Sequence, residues 1–146
     1  EKHSKNALNL ATWLQVQEEV TWVNYPGLKS SKYNSLAKKY LPDGQSGVVT
    51  FGVKGGYNGA KIIANETEIF SLLANIGDSK SLIIHPASTT HQQLTDEEQE
   101  STGVTKDLIR LSIGLEHLDD LKSDLIQAFQ KLDTKVSAEA FSLNGH

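Results

Sequence analysis

An arginine occurs within an apolar, strand-like run, IRLSIGLE, at residues 109–116. Alternate side chains of an extended chain point to opposite faces. One face would carry Ile109, Leu111, Ile113 and Leu115, and the other Leu108, Arg110, Ser112 and Gly114. A guanidinium on such a strand is costly unless a planar anion pairs with it. Arg110 therefore either forms an internal ion pair, with a sheet neighbour or with Glu116, or binds the carboxylate of a ligand through two parallel hydrogen bonds.

Two short motifs resemble catalytic signatures but have simpler structural explanations. The glycine-rich stretch GVKGG at 52–56 follows a predicted strand, yet it lacks the spacing and the lysine position of a phosphate-binding loop. We therefore predict a turn there. SLAK at 35–38 matches a serine-x-x-lysine nucleophile pattern, but the partner motifs of that pattern are absent from the sequence. We assign it no catalytic role.

Histidines and aspartates give the remaining candidates. His85 and His91 have a spacing that fits neither one helical face nor a standard zinc pattern, so we predict no metal site. Asp119, Asp120 and Asp124 occur where a helix is predicted to begin. Carboxylates are favoured in the first turn by the helix dipole, which explains them better than paired-carboxylate catalysis does.

The elements that must position Arg110 alternate between helix and strand. The apolar spacing predicts helices at about 5–18, 35–40, 58–73 with a break near Asn65, 95–101 and 118–132. It predicts strands in VTWVNYPGL (20–28), at 48–54, at 81–86 and around Arg110. Thr95 followed by Glu98 predicts a capping box. This alternation predicts a two-layer α/β sandwich, a four-stranded mixed or mostly antiparallel sheet with helices packed on one face. The apolar pattern fades after Leu132, so we predict a domain at 1–132 and a loosely held tail at 133–146.

Composition limits the class of protein. A chain of 146 residues, 38% of them hydrophobic, suits one domain with its own core. A net charge of −4 argues against nucleic-acid binding, and the absence of cysteine excludes disulfides and thiol chemistry. No apolar run predicts a membrane span or a signal peptide, so we expect a cytoplasmic protein. Because the sequence lacks methionine and begins at Glu1, we expect a piece of a longer chain.

The segment from Asn75 to Phe129 resembles the C-terminal end of the Cys/Met-metabolism family of pyridoxal-phosphate-dependent enzymes. The pieces HPASTTH and IRLSIGLE carry the resemblance, in the right order and spacing, and VTWVNYPGL and GVVTFGVKGG fit upstream. The resemblance extends to about Leu132. Within the family, NIGDSKSL is most similar to the O-acetylhomoserine sulfhydrylase branch, and GVTKDLIRLSIGLE is similar to fungal members.

The resemblance implies roles for three residues. The family arginine that holds the α-carboxylate of the amino-acid substrate matches Arg110. Asn75 stands where the family has a serine that helps to seat this carboxylate, and its backbone could still make the contact. Thr90 matches a threonine that lines the substrate pocket. Ala74 replaces an acidic residue found in members that handle cystathionine, which favours the uncharged distal ester of O-acetylhomoserine.

The resemblance also implies what the rest of the enzyme supplies. The family forms its internal aldimine on a lysine of the larger upstream domain, in an SxTKY-like segment that this sequence lacks. We therefore expect neither a catalytic nor a cofactor-binding residue here, and an isolated domain without activity. The full-length homotetramer would bind pyridoxal phosphate, pack this domain on its own large domain, and replace acetate on O-acetylhomoserine by sulfide or a thiol. The alternatives are a cystathionine γ-synthase, a cystathionine or methionine γ-lyase, and a non-catalytic interaction domain.

Overall fold

A computed structural model describes the backbone of residues 2–72, 80–89 and 93–144, with side chains except those of Leu72 and 136–144. The helices in these ranges are α1 (Lys2–Leu14), α2 (Asn34–Tyr40), α3 (Gly56–Glu66), α4 (Asp96–Ser101) and α5 (Leu118–Asn144), and a 3-10 turn covers Pro86–Ser88. The strands are β1 (Val20–Asn24), β2 (Val48–Val53), β3 (Ser71–Leu72), β4 (Leu82–Ile84) and β5 (Leu108–Ser112). None of the described helices is long and apolar enough to cross a membrane.

The strands form one mixed sheet in the order β1-β2-β5-β4-β3. Neighbouring strands are antiparallel except for β3 and β4, which are parallel. The predicted α/β sandwich with a mostly antiparallel sheet is confirmed, and all four predicted strands are present. The two-residue strand β3 is an addition, formed by residues that the apolar spacing had placed in a helix.

One face of the sheet and three helices enclose the main core. The core-facing residues of the two central strands alternate along the chain: Val49, Phe51, Val53, Ile109 and Leu111, followed by Ile113 just beyond β5. Apolar side chains of α1, α3 and α5 pack against them. The predicted apolar face is confirmed for these residues of the Arg110 run, but Leu115 is 41% exposed. β5 ends at Ser112, so the alternation of faces does not extend to Leu115.

The predicted break near Asn65 is confirmed, because α3 ends at Glu66, but the helical pattern predicted from there to residue 73 is wrong. The buried carboxylate of Asp124 on α5 accepts hydrogen bonds from the backbone N of Glu68, Ile69 and Phe70, at 2.7, 2.7 and 3.1 Å. These three amides are thus paired with a side chain and need no helical carbonyl. A contact across the layers, which local spacing does not reveal, ends the helix.

The start of α4 was predicted from the sequence, whereas the helical backbone of α5 extends beyond its predicted end. At α4, Thr95 Oγ1 accepts from the Glu98 backbone and the Glu98 carboxylate accepts from the Thr95 backbone, which confirms the capping box. α5 continues in its backbone to Asn144, beyond the last apolar step at Leu132. The division into a domain at 1–132 and a loosely held tail stays a prediction.

Candidate functional site around Arg110

Arg110 lies at the centre of the sheet. Its register partners are Thr50 on β2 and Ile84 on β4, both antiparallel to β5. Its neighbours Ile109 and Leu111 are fully buried in the main core, so Arg110 faces the opposite side of the sheet, which we call the outer face. Because β5 is paired on both sides, the backbone that carries the guanidinium is held on a rigid element, as a precise binding site requires.

The guanidinium of Arg110 has no partner within the described part of the chain. Its Nε–H is buried and donates to no acceptor there, and none of the ion pairs between described residues includes the Arg110 side chain. A buried donor without an acceptor costs about 1–3 kcal/mol. A planar carboxylate could remove this cost, since it accepts two parallel hydrogen bonds from a guanidinium.

The internal ion pair proposed as the simpler explanation of Arg110 is not formed among the described residues. The Glu116 carboxylate is bound instead by Ser81, whose backbone N donates to Oε1 at 2.8 Å and whose Oγ donates to Oε2 at 2.7 Å. The two sheet neighbours, Thr50 and Ile84, carry no charge. This arrangement favours the second explanation, in which Arg110 binds an anionic ligand.

The other residues assigned by resemblance, Asn75 and Thr90, lie outside the described residues, as does Ala74. Their contributions to a substrate pocket therefore stay predictions, and so does the carboxylate-binding role of Arg110. The remaining motifs have ordinary structural positions. GVKGG forms the predicted turn, with Gly55 at a φ of 90° before α3, and SLAK lies in α2.

A cleft of about 650 Å³ lies on the outer face next to the strand neighbour of Arg110. Trp22, Asn24, Thr50 and Leu108 are among the residues that line it. The indole N–H of Trp22 donates to Asp107 Oδ2 at 3.0 Å, directly over Gly52. None of these residues was predicted to belong to a site. The alternation of Trp22 with Asn24 along β1, and of Thr50 with Gly52 along β2, could have indicated a shared face.

His85 is buried and joins two segments next to β4 and β5. Its Nε2–H donates to the Lys106 carbonyl at 2.7 Å, and its Nδ1 therefore accepts from the Ser88 hydroxyl at 2.9 Å. The edge of the ring packs against Tyr57, with 5.0 Å between ring centroids. Both nitrogens are occupied by protein groups, and no cluster of three or more metal-binding side chains occurs among the described residues. His91 lies outside them.

The buried position of His85 predicts a dependence of stability on acid. Burial lowers the pKa of His85 below its ordinary value of about 6.5, with the Lys106 carbonyl opposing the shift. His85 therefore binds a proton more readily in the unfolded chain than in the folded one. The free energy of unfolding is highest above that ordinary pKa and falls as the pH decreases through and below it. We expect the melting temperature of His85→Gln to fall less between pH 8 and pH 5 than that of the unsubstituted protein. His117→Gln is the control, because His117 is exposed; equal slopes in all three proteins would contradict the prediction.

Comparison with known proteins extends over nearly the whole chain. The model of the family described as Cys/Met metabolism PLP-dependent enzyme matches residues 1–130. The chain is 52% identical over 130 residues to the homocysteine synthase of Schizosaccharomyces pombe, and 54% identical over 133 residues to the O-acetyl-L-homoserine sulfhydrylase of Leptospira meyeri. These alignments cover 89% and 90% of the chain but only 30% of each relative.

A solved structure gives the same result for the fold. The chain superposes with a TM-score of 0.82 and 52% identity on a Campylobacter jejuni protein described as an O-acetylhomoserine (thiol)-lyase. That structure contains N'-pyridoxyl-lysine-5'-monophosphate. The match covers 88% of this chain and 31% of the other. The chain therefore corresponds to somewhat less than a third of the proteins that it resembles.

Proposed function

The chain belongs to the Cys/Met metabolism family of pyridoxal-phosphate-dependent enzymes, and we propose that it is the substrate-binding C-terminal domain of an O-acetylhomoserine sulfhydrylase. The full-length enzyme would replace the acetate of O-acetylhomoserine by sulfide or a thiol, giving homocysteine or a related product. Relatives about half identical to the chain carry the names homocysteine synthase and O-acetyl-L-homoserine sulfhydrylase, which supports this reaction over the other reactions of the family.

The single observation that carries the proposal is the unpartnered Nε of Arg110 on the central strand. A guanidinium binds a carboxylate in one plane and through two hydrogen bonds, so it fixes the orientation of the amino acid as well as its position. Fixing the α-carboxylate limits how the α-carbon can be presented to the reacting groups, and such positioning contributes substantially to rate. Arg110 would thus be a binding and orienting residue, with Asn75 and Thr90 as further contacts of the substrate.

The proposal assigns the chemistry to the rest of the enzyme. Bound pyridoxal phosphate supplies an electron sink at the α-carbon. We assign no catalytic lysine and no cofactor contact to residues 1–146, so the isolated domain should be inactive. Its partner is the larger domain of the same chain, and we expect the full-length protein to be a cytoplasmic homotetramer.

Product analysis separates the proposed reaction from its alternatives. The full-length enzyme is given O-acetylhomoserine with sulfide or with cysteine, and the products are identified by mass spectrometry. We expect homocysteine from sulfide at a rate well above that of cystathionine from cysteine. Cystathionine as the main product would indicate a cystathionine γ-synthase, and cleavage of cystathionine or methionine without an acceptor would indicate a γ-lyase.

Borohydride reduction tests the cofactor assignment independently of the reaction. The full-length protein should show the visible absorbance of a lysine imine, and reduction should leave a pyridoxyl-lysine that peptide mapping places outside residues 1–146. A labelled lysine within residues 1–146 would contradict the assignment of the cofactor-binding lysine to another part of the enzyme. The absence of any imine band with added pyridoxal phosphate would favour the non-catalytic interaction domain.

A further inference from the structure

Glu116 and Ser81 form a two-residue contact at the end of the Arg110 strand, which we call the clasp. Ser81 is fully buried, and it donates to both carboxylate oxygens of Glu116, through its backbone N and its hydroxyl. The same hydroxyl oxygen accepts from the backbone N of Gly114 at 2.8 Å. The Ser81 carbonyl accepts from Ser71 N at 3.0 Å. One buried serine therefore joins β3, the start of β4 and the exit of β5.

The clasp lies where the pairing of β4 with β5 needs support. That pairing consists of three residue pairs, from Leu82 opposite Ser112 to Ile84 opposite Arg110, whereas β2 pairs with β5 over five. Ser81 directly precedes Leu82, so the clasp continues the short ladder through side-chain hydrogen bonds. Register matters here because a slip of one residue exchanges the two faces of a strand.

A second group of contacts holds the same turn from the helix layer. Asn6 Nδ2 donates to the carbonyls of Gly114 and Glu116, at 3.5 and 3.3 Å, and His3 Nδ1 lies 2.7 Å from the Ile113 carbonyl. These contacts bind only the turn. Ser81, which also accepts from Gly114, joins this turn to β4, the strand whose residue Ile84 lies beside Arg110.

We propose that Ser81 and Glu116 are positioning residues for Arg110, which fix β5 against β4 and so set the direction in which the guanidinium meets the substrate carboxylate. This inference rests on the proposed function of Arg110. Glu116 thus acts through the strand and makes no contact with the substrate. The Glu116 carboxylate accepts hydrogen bonds from Ser81 and forms no ion pair with Arg110 among the described residues.

The test measures steady-state kinetics of the full-length enzyme carrying Ser81→Ala or Glu116→Gln. Ser81→Ala removes the hydroxyl that joins Glu116 to Gly114. Glu116→Gln is a milder change that preserves shape and keeps one of the two acceptor oxygens. We expect Ser81→Ala to raise KM for the amino-acid substrate about five- to tenfold, with a smaller change in kcat, because a displaced guanidinium loses binding energy. Glu116→Gln should raise KM in the same direction by less.

Asp124→Asn is the matched control. Asp124 is also a carboxylate that accepts from backbone amides, but those amides belong to residues 68–70, next to the helix layer. Its substitution should lower the melting temperature and leave KM unchanged. If Ser81→Ala and Glu116→Gln likewise lower the melting temperature and leave KM unchanged, the clasp is merely structural and the inference is overturned.

Combining Ser81→Ala with Arg110→Lys separates the positioning role proposed for the clasp from the carboxylate-binding role proposed for Arg110. If the clasp acts through the guanidinium, adding Ser81→Ala to Arg110→Lys should raise KM by about twofold or less, since coupled residues are not additive. A full five- to tenfold increase in that background would overturn the inference. If Arg110→Lys alone leaves KM unchanged, the proposed function of Arg110 fails, whereas a high KM in Arg110→Lys with a normal KM in Ser81→Ala removes only the clasp.

Discussion

Replacing Arg110 with lysine is expected to raise the KM of the full-length enzyme for its amino-acid substrate by about 10- to 100-fold, with a much smaller change in kcat. A charge-assisted hydrogen bond contributes about 1.5–3 kcal/mol, and a lysine ammonium cannot reproduce the planar pair of bonds that a guanidinium makes. The effect should fall on KM because the carboxylate does not react, so its contact is made equally before and during the reaction.

Two controls make this result specific to the guanidinium and the carboxylate. Thr50→Val changes the strand neighbour of Arg110 on the outer face without altering charge or shape, and it should leave KM within about twofold of its normal value. An analogue of the substrate that lacks the α-carboxylate should bind the unsubstituted enzyme and Arg110→Lys equally. An unchanged KM in Arg110→Lys, or an equal increase in Thr50→Val, would contradict the assigned role.

Asp124→Ala is expected to destabilise the domain by about 3 kcal/mol or more, because it leaves three backbone amides near the core without an acceptor. The carboxylate accepts from the amides of Glu68, Ile69 and Phe70, and Gln127 Nε2 also donates to it at 3.2 Å. Hydrogen exchange followed by mass spectrometry should show lost protection at these three amides, together with a lower melting temperature. Pyridoxal-phosphate binding by the full-length enzyme should be unaffected.

Asp120→Ala provides the comparison on the same helix. Asp120 is an exposed carboxylate in the first turn of α5, where the helix dipole favours a negative charge. Its removal should cost less than about 1 kcal/mol and leave the exchange of residues 68–70 unchanged. Similar losses of stability in the two variants would mean that Asp124 does not hold the segment after α3.

Local pattern predicted much of the fold because the relevant forces act between near neighbours. The alternation of Ile109, Leu111 and Ile113 identified the core face of the Arg110 strand, and Thr95 with Glu98 identified the start of α4. The break near Asn65 was predicted, but the non-helical path of residues 68–70 was missed because it depends on Asp124, which lies more than 50 residues away along the chain. Leu115 was misplaced because alternation holds only within a strand.

Arg110 could be identified from the sequence as the central residue of the candidate site, but whether its charge is paired within the chain could not. A cation at position 110 in an apolar run already indicated either an ion pair or a ligand. The choice between them depends on where the Glu116 carboxylate lies, and that is decided by Ser81, a residue brought close only by the sheet. The cleft at Trp22 and Thr50 depends likewise on the pairing of β1 with β2.

The position of β5 in the sheet has a consequence for biosynthesis. β5 is the last strand along the chain, yet it lies between β2 and β4. While the ribosome has not yet released residue 108, β2 and β4 have no strand between them, and each presents unpaired backbone groups to other nascent chains. The domain is therefore most prone to aggregation just before β5 emerges, and pairing of β5 with both neighbours covers the exposed edges of β2 and β4 in one step.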